Sequence, residues 1–222
     1  MQLKQHIKQH LQTTAHPNRD RLERGLGALG FEASAMQIEQ LLDYLDLIAK
    51  WNRVHNLTAI RDVEQMVAHH LLDSLAVQTH LRKGSLVDIG SGAGLPGVPL
   101  AIMTPTLPVT LVESNQKKAA FLLQAIADLS LANVKVVAGR VETLRPASRY
   151  AQVISRAFAE LALFAQLAEP ILAPGGIMLA MKGQLHPDEL AAIPDWLRVV
   201  DKIPLEIPGL DAARHLVVLA RA

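Results

Sequence analysis

The spacing of apolar residues along the chain changes near Gly84. Over residues 34–54, apolar side chains recur every three or four positions, which is the period of a helix with one buried face, and Ser34 suits its N-cap. A second stripe of this kind follows Asp62. The pattern predicts an N-terminal helical region over residues 19–83 that packs on the rest of the chain. Residues 1–18 are left as an extension without an assigned role.

Beyond Gly84 the apolar residues form short runs that end in polar residues, and helical patterns follow them. The predicted strands cover residues 86–89, 109–112, 134–138, 153–154 and 177–181, and the predicted helices cover residues 97–103, 115–129, 159–172 and 186–193. Two more strands, 197–207 and 214–220, are predicted to form a terminal hairpin around Pro208 and Gly209. Such alternation requires right-handed crossovers, so residues 84–222 are predicted to form an α/β domain with a doubly wound, mostly parallel sheet.

The composition restricts the classes of function open to the chain. Of its 222 residues, 50% are apolar and 19% are charged, which suits one main folded domain. Cysteine is absent, which excludes disulfides, zinc thiolates and cysteine nucleophiles and fits a reducing compartment. Neither a signal peptide nor a membrane span is indicated, so we expect a cytoplasmic protein without membrane contact. The formal net charge of +1 gives no global attraction to nucleic acid, so any RNA site would be local.

The strongest chemical signal is the segment LVDIGSGAGLPG, in which a buried strand runs into a glycine-rich turn. Glycine tolerates positive φ and lets a ligand approach the backbone closely. A helix starts near Pro96 or Gly97, and its free N–H groups could face a phosphate or a carboxylate. A dinucleotide fingerprint would need glycine at the sixth position counted from Gly90, where Leu95 stands. The spacing, with Asp88 before it, resembles the first motif of class I S-adenosylmethionine methyltransferases, in which the acidic residue helps hold the methionine ammonium.

Candidate ligand contacts follow the next strands, because ligands bind at the carboxyl ends of strands in such sheets. Glu113 stands where a doubly wound fold places a carboxylate against two ribose hydroxyls, and the alternative is a solvated strand end or helix cap. Val141 and Glu142 follow the third strand, where methyltransferases usually recognise adenine with main-chain groups. Glu142 alternatively interacts with a helix dipole.

Two basic residues follow the fourth and fifth predicted strands. Arg156 stands at the rim where cofactor and substrate would meet, and a guanidinium there can bind a carboxylate or a phosphate bidentately. The alternative for Arg156 is a surface ion pair. Lys182 suits a phosphate or base contact, and a solvated lysine is the alternative.

These pieces together resemble the bacterial small-subunit ribosomal RNA guanine-N7 methyltransferases, also called glucose-inhibited division protein B. The resemblance runs from Arg19 onward. It rests on six motifs in order: Trp51-Asn52-Arg53 with Asn56-Leu57-Thr58; His70-Leu71-Leu72-Asp73-Ser74; GSGAGLPG; Ile154-Ser155-Arg156-Ala157-Phe158-Ala159; Met181-Lys182-Gly183; and Arg214-His215-Leu216-Val217-Val218. It implies the class I S-adenosylmethionine methyltransferase fold, with S-adenosyl-L-methionine as cofactor and 16S ribosomal RNA or the small ribosomal subunit as partner.

The resemblance also implies which residues bind the cofactor. The predicted set is Gly90, Gly92, Leu95, Glu113, Val141, Glu142 and Arg156. Family members often have aspartate at the position of Glu113, so we expect the longer glutamate side chain to make hydrogen bonds that differ in detail from theirs. They also often have Thr and Pro where Ser91 and Ala93 stand here. The glycines of the turn are intact.

Methyl transfer to guanine N7 needs no catalytic acid or base, since N7 carries an in-plane lone pair and no proton. We therefore predict no catalytic acid or base, and rate enhancement chiefly by alignment. His69 and His70 are adjacent on a helix and point about 100° apart, so we predict no metal site. Asp73 and Ser74 are interpreted as bracing the methyltransferase domain. Two alternatives remain open: a nucleotide-dependent oxidoreductase on the same sheet, and a non-catalytic RNA- or ribosome-binding module that keeps the cofactor fold.

Overall fold

The computed structural model describes residues 16–156, 158 and 160–222. Most of the predicted extension, residues 1–18, therefore lies outside the described residues. Within the described part, no helix is long and apolar enough to cross a membrane.

Helices make up the described N-terminal region, as predicted. They are α1 (Arg19–Ala28), α2 (Ala35–His55), α3 (Val63–Met66), a π-helical segment (Val67–Leu72) and α4 (Asp73–Leu75), followed by a 3-10 turn (Gln78–His80). The predicted N-cap of α2 is confirmed, because the Ser34 hydroxyl accepts from the Gln37 N–H at 3.3 Å and the Gln37 side chain accepts from the Ser34 N–H at 2.9 Å. This reciprocal pair satisfies two N–H groups at the helix start.

A seven-stranded sheet forms the rest of the molecule. Its strands are β1 (Leu86–Ile89), β2 (Val109–Glu113), β3 (Val134–Ala138), β4 (Tyr150–Arg156), β5 (Leu172–Lys182), β6 (Leu197–Pro204) and β7 (His215–Arg221), and the helices between them are α5 (Gly97–Met103), α6 (Gln116–Asp128), α7 (Leu161–Ala168) and α8 (Pro187–Ala191). The spatial order is β3-β2-β1-β4-β5-β7-β6. The first five strands are parallel, and β7 pairs antiparallel with both β5 and β6. The doubly wound sheet and the terminal hairpin are both confirmed.

The structure differs from the sequence prediction around residues 159–177. The predicted helix 159–172 is shorter in the structure: α7 ends at Ala168, a 3-10 turn covers Glu169–Ile171, and β5 already begins at Leu172. Pro170 lacks the N–H that a continuing α-helix would need. Strand β5 carries Gly175 at a φ of 71°, and its pairing with β4 shifts register between Tyr150 and Gln152. The early part of β5 was missed because Pro and Gly there are typical of loops.

Apolar side chains cover both faces of the sheet. One cluster joins the sheet to α1, α2, α5 and α6 and includes Leu22, Leu41, Tyr44 and Phe121, all fully buried. The other cluster packs α7 against the opposite face around Phe164. Because the first cluster contains residues on both sides of Gly84, the helices and the sheet share a core.

Candidate functional site

The glycines of the turn between β1 and α5 have two different roles, packing on the core and leaving the backbone open to a ligand. Gly90, Gly92 and Gly94 all have positive φ, at 69°, 59° and 88°. At Gly94 a Cβ would lie 2.7 Å from Val98 and 2.8 Å from Leu122, so this glycine lets the turn pack on the core. Gly90 is exposed, and within 4 Å its Cβ would meet only the Phe158 ring among the described residues, at 3.5 Å. Gly90 is therefore the position at which a ligand can approach the backbone.

Backbone N–H groups of the turn donate within the protein. The pairs are Gly90 N and Ser91 N with Val112 O (2.9 and 3.1 Å), Gly92 N with Glu113 Oε2 (2.8 Å), and Gly94 N and Leu95 N with Ser91 O (2.7 and 3.1 Å). A phosphate-binding loop instead aims such groups at its ligand. The turn is thus held in shape by its own hydrogen bonds and has little to offer a pyrophosphate.

The buried carboxylate of Asp88 caps the start of α5. Its Oδ2 accepts from the Gly97 N–H at 3.0 Å, and the residue is 0% exposed. Of the two groups expected at this helix end, a phosphate or a carboxylate, the structure places a carboxylate of the protein there. This argues against the dinucleotide-dependent alternative.

Asp88 keeps one acceptor unused beneath the turn. Its Oδ1 is buried and has no hydrogen-bond partner among the described residues. Burial raises the pKa of Asp88 to about 7, against the lowering effects of the Gly97 N–H and the Arg156 charge. A positively charged group nearby would stabilise the ionised carboxylate. The methionine ammonium of S-adenosylmethionine fits this requirement.

Glu113 closes β2 and is tied to the turn. The side chain is not solvated: the residue is 6% exposed, its Oε2 accepts from Gly92 N, and its Oε1 accepts from Asn115 N at 2.7 Å. The solvated strand end is therefore wrong, whereas the helix-cap alternative is met in part, because Glu113 accepts from the N–H of Asn115, the N-cap of α6. Each carboxylate oxygen has two lone pairs, so both retain an acceptor site for a ribose hydroxyl.

The remaining predicted cofactor residues lie at neighbouring strand ends. Val141 and Glu142 belong to a 3-10 turn after β3; Val141 is partly buried, and the carbonyl of exposed Glu142 accepts from Arg145 Nη1 at 2.8 Å. Leu95 is 4% exposed with its side chain in the core, and its N–H donates to the Ser91 carbonyl. The structure joins Gly92 directly to Glu113, and places the other residues along the same edge of the sheet.

Arg156, at the end of β4, pairs with a buried carboxylate. Its Nη1 donates to Asp73 Oδ2 and to the His69 carbonyl, both at 3.0 Å. Asp73 has a side chain only 3% exposed, and its Oδ1 accepts from Arg214 Nε at 3.0 Å. The ion pair considered for Arg156 is therefore present, but its partner is a buried carboxylate and not one at the surface. Asp73 joins the helical region to β4 and to the start of β7, which agrees with its interpretation as a brace.

A cavity of about 420 Å³ opens beside this ion cluster, at the carboxyl ends of β4 and β5. Its lining includes His69, His70, Asp73, Arg156, Phe158, Lys182, Arg214 and His215. Phe158 separates the cavity from Gly90, so the cavity and the turn are neighbours. His70 stays neutral near pH 7, because burial and the Arg156 charge lower its pKa to about 4. The cationic side chains of the lining outnumber its carboxylate, which favours an anionic ligand.

Lys182 supports the loop that carries Phe158. Its Nζ donates to the Phe158 carbonyl at 3.0 Å and to Glu189 Oε1 at 2.5 Å, and its side chain is 9% exposed. A solvated lysine is therefore the wrong description. Sequence reasoning missed Glu189 as the partner of Lys182. It also missed the pairing of Asp73 with two arginines, because residues 83 and 141 positions apart carry no local signal of contact. Among the described residues, no group of three or more potential ligand side chains could hold a metal ion.

Comparison with known proteins decides the family. Residues 37–217 match the family described as rRNA small subunit methyltransferase G. The chain belongs to this family. A ribosomal RNA small subunit methyltransferase G from Methylobacillus flagellatus is 53% identical over 90% of this chain and 96% of its own length. One from Aromatoleum aromaticum is 51% identical over 90% and 97%.

Solved structures support the same fold at low sequence identity. A glycopeptide N-methyltransferase complexed with S-adenosyl-L-methionine superposes with a TM-score of 0.58 over 69% of this chain and 87% of its own, at 12% identity. TrmN from Thermus thermophilus gives 0.53 over 77% and 53%, at 19% identity. As a member of the methyltransferase G family, the protein is an S-adenosylmethionine-dependent rRNA methyltransferase with a class I fold.

Proposed function

We propose that this protein transfers the methyl group of S-adenosylmethionine to N7 of one guanine in 16S ribosomal RNA. The observation that carries the proposal is the glycine turn, which has a buried, partly unpaired carboxylate beneath it, and whose N–H groups at Gly90, Gly92 and Gly94 already donate within the protein. Such a site favours a cationic ligand over a nucleotide polyphosphate. The neighbouring cavity supplies room for the methyl acceptor.

The cofactor is held by residues on successive strand ends. Asp88 stabilises the methionine ammonium, and Arg156 receives the methionine carboxylate with guanidinium donors that Asp73 does not use. Glu113 accepts from the ribose hydroxyls. The backbone at Gly90, Gly92 and Leu95 lies against the methionine and ribose, and main-chain groups of Val141 and Glu142 recognise the adenine. When bound, the cofactor supplies an electrophilic sulfonium methyl group.

The acceptor guanosine occupies the cavity beside Phe158. Guanine N7 has no proton to lose, so the chain needs to orient the base and exclude water rather than move a proton. His70 remains neutral, and the side chains of Lys182 and Glu189 are paired with each other. This arrangement supports catalysis by alignment, without a catalytic acid or base.

The domain arrangement and the cellular setting complete the proposal. The helical region 19–83 packs on the methyltransferase domain 84–222, supported by the apolar cluster that contains residues of both. The substrate form is naked 16S RNA, an assembling particle or the small subunit. Because each of these forms belongs to the cytoplasm, we place the reaction there.

The test is methyl transfer from labelled S-adenosylmethionine to small-subunit particles and to naked 16S RNA, both taken from cells that lack this protein. We expect labelled 7-methylguanosine, identified by the mass of the released nucleoside. Cofactor binding without any label in RNA would instead support the non-catalytic RNA-binding module. Label in another nucleoside would overturn the assignment to guanine N7.

A further inference from the structure

We propose that Asp73 is a positioning residue that serves both halves of the site: it holds Arg156 for the methionine carboxylate and Arg214 for a phosphate of the acceptor RNA. The inference rests on the proposed function and names the role of a residue outside the predicted cofactor set. Asp73 touches neither ligand itself.

The geometry of Asp73 supports this role. Each of its carboxylate oxygens accepts from one arginine at 3.0 Å, Oδ2 from Arg156 Nη1 and Oδ1 from Arg214 Nε. The side chain of Asp73 is 3% exposed, whereas those of Arg156 and Arg214 are 23% and 25% exposed. A buried carboxylate can be charged only where cations and hydrogen bonds offset its desolvation. Two guanidinium groups more than neutralise it, so the cluster keeps a net positive charge at the cavity wall.

Both arginines retain donors for a ligand. Arg156 uses Nη1 for its two bonds, and its Nε and Nη2 have no acceptor among the described residues. Arg214 uses Nε for Asp73 and Nη1 for the Ala213 carbonyl, and within the described part of the chain its Nη2 has none. Nε and Nη2 of Arg156 form an edge that suits the paired oxygens of a carboxylate, whereas Arg214 can donate through Nη2 to a phosphate oxygen.

The π-helical segment Val67–Leu72 provides a second fixed point for Arg156. The Asp73 N–H bonds the carbonyls of Ala68 and His70 rather than that of His69, which an α-helix would use. The His69 carbonyl is thereby free to accept from Arg156 Nη1 at 3.0 Å. Single π turns occur frequently at functional sites. Here the wide turn presents a carbonyl and a carboxylate to the same guanidinium nitrogen.

The two arginines come from different parts of the sheet. Arg156 ends parallel strand β4, next to β1 and the glycine turn, whereas Arg214 precedes antiparallel strand β7 beyond β5. One carboxylate therefore spans the boundary between the cofactor side and the RNA side. Removing its charge should loosen both guanidinium groups together, while removing either arginine should affect only one ligand.

The experiment compares Asp73→Asn, Arg156→Gln and Arg214→Gln with the double variant Asp73→Asn/Arg214→Gln. The cofactor dissociation constant is measured by calorimetry without RNA, and the KM for small-subunit particles by methyl transfer. We expect Asp73→Asn to weaken both by about tenfold, the loss typical of a charge-assisted hydrogen bond. Arg156→Gln should weaken chiefly cofactor binding, and Arg214→Gln chiefly RNA binding. In the double variant the RNA KM should match that of Arg214→Gln alone, because Asp73 acts on RNA through Arg214.

Two controls separate positioning from folding. Ser74→Ala alters a neighbouring, fully buried side chain that bonds neither arginine, and Leu26→Ala destabilises α1 away from the site. Both should keep their cofactor affinity, even though Leu26→Ala lowers the melting temperature.

If Asp73→Asn is destabilised like Leu26→Ala yet keeps its affinity for both the cofactor and the RNA, Asp73 is a brace only and the proposal fails. If the wild type binds cofactor but methylates no RNA, the proposed function fails while the effect of Asp73→Asn on cofactor affinity still decides the Arg156 half. A wild type that binds no cofactor overturns both.

Discussion

At the scale of single residues, Gly90 combines a positive φ with an exposed position beside Phe158. We expect Gly90→Val to lose S-adenosylmethionine binding, because the branched side chain would occupy the surface that the cofactor must approach. The backbone strain should also cost about 1–3 kcal/mol of stability. Cofactor binding is followed by calorimetry and folding by circular dichroism.

Gly30 offers a matched control for that substitution. It has a φ of 78°, and its Cβ would meet no atom of the described residues within 4 Å. Gly30→Val should thus lose similar stability from backbone strain while keeping full cofactor affinity. Undiminished affinity in Gly90→Val would remove the turn from the cofactor site.

The raised pKa of buried Asp88 leads us to expect that the stability of the fold depends on pH. Because burial raises its pKa in the folded protein from 3.8 to about 7, the stability that it contributes is present below pH 3.8 and is lost as the pH rises through about 7. Relative to Asp88→Asn, the wild type should lose on the order of 4 kcal/mol between pH 4 and pH 7. Urea unfolding of both proteins across this range measures the difference.

Other charged groups near Asp88 are common to both proteins. Glu113 raises the pKa of Asp88 and Arg156 lowers it, and His70, whose own pKa is lowered to about 4, titrates in the same window with the opposite sign. Their direct contributions largely cancel in the comparison. A difference between wild type and Asp88→Asn that stays constant from pH 4 to pH 7 would contradict the raised pKa.

At the scale of elements, the Gln37 side chain both caps the start of α2 and links α2 to the neighbouring helix α5. It completes the capping box of α2, and its Nε2 also donates to the carbonyls of Ile102 and Met103 at the end of α5, at 3.1 and 3.2 Å. We expect Ser34→Ala to cost about 1 kcal/mol, as for a lost N-cap. Gln37→Ala should cost about 2–3 kcal/mol, because it also removes the bonds to α5.

Urea unfolding measures both losses, with exposed Glu39→Gln as the control expected to change stability by less than about 0.5 kcal/mol. Equal losses for Ser34→Ala and Gln37→Ala would show that the bonds to α5 contribute nothing.

The elements also show what sequence can and cannot predict. Strands β1 and β3 and helix α5 were predicted with their observed bounds, because short runs rich in β-branched and apolar residues indicate strands and glycine or proline marks the ends of these elements. The π-helical segment has no such pattern and was interpreted as ordinary helix. The pairing of Asp73 with Arg156 and Arg214 spans 83 and 141 residues, so only the folded arrangement brings these groups together.

At the scale of the whole molecule, the shared core indicates one cooperative unit. Trp51 of α2 packs edge-on against Phe121 of α6, with ring centroids 5.6 Å apart, so its fluorescence reports contact between the helical region and the sheet domain. In a Trp196→Phe background we expect the transitions of Trp51 fluorescence and far-ultraviolet circular dichroism in urea to coincide. An earlier fluorescence transition would show that the helices detach first.

The buried carboxylate at the start of α5 also affects which adenosine-containing metabolites can compete with the cofactor for the site. ATP and related nucleotides contain the same adenosine as the cofactor, and they compete for any pocket that reads only adenine and ribose. Their phosphates would be brought towards Asp88, which holds the place at the helix end where an anion would otherwise bind. A nucleotide phosphate that reached this helix end would therefore meet a carboxyl group that already accepts the Gly97 N–H, and this disfavours nucleotide binding.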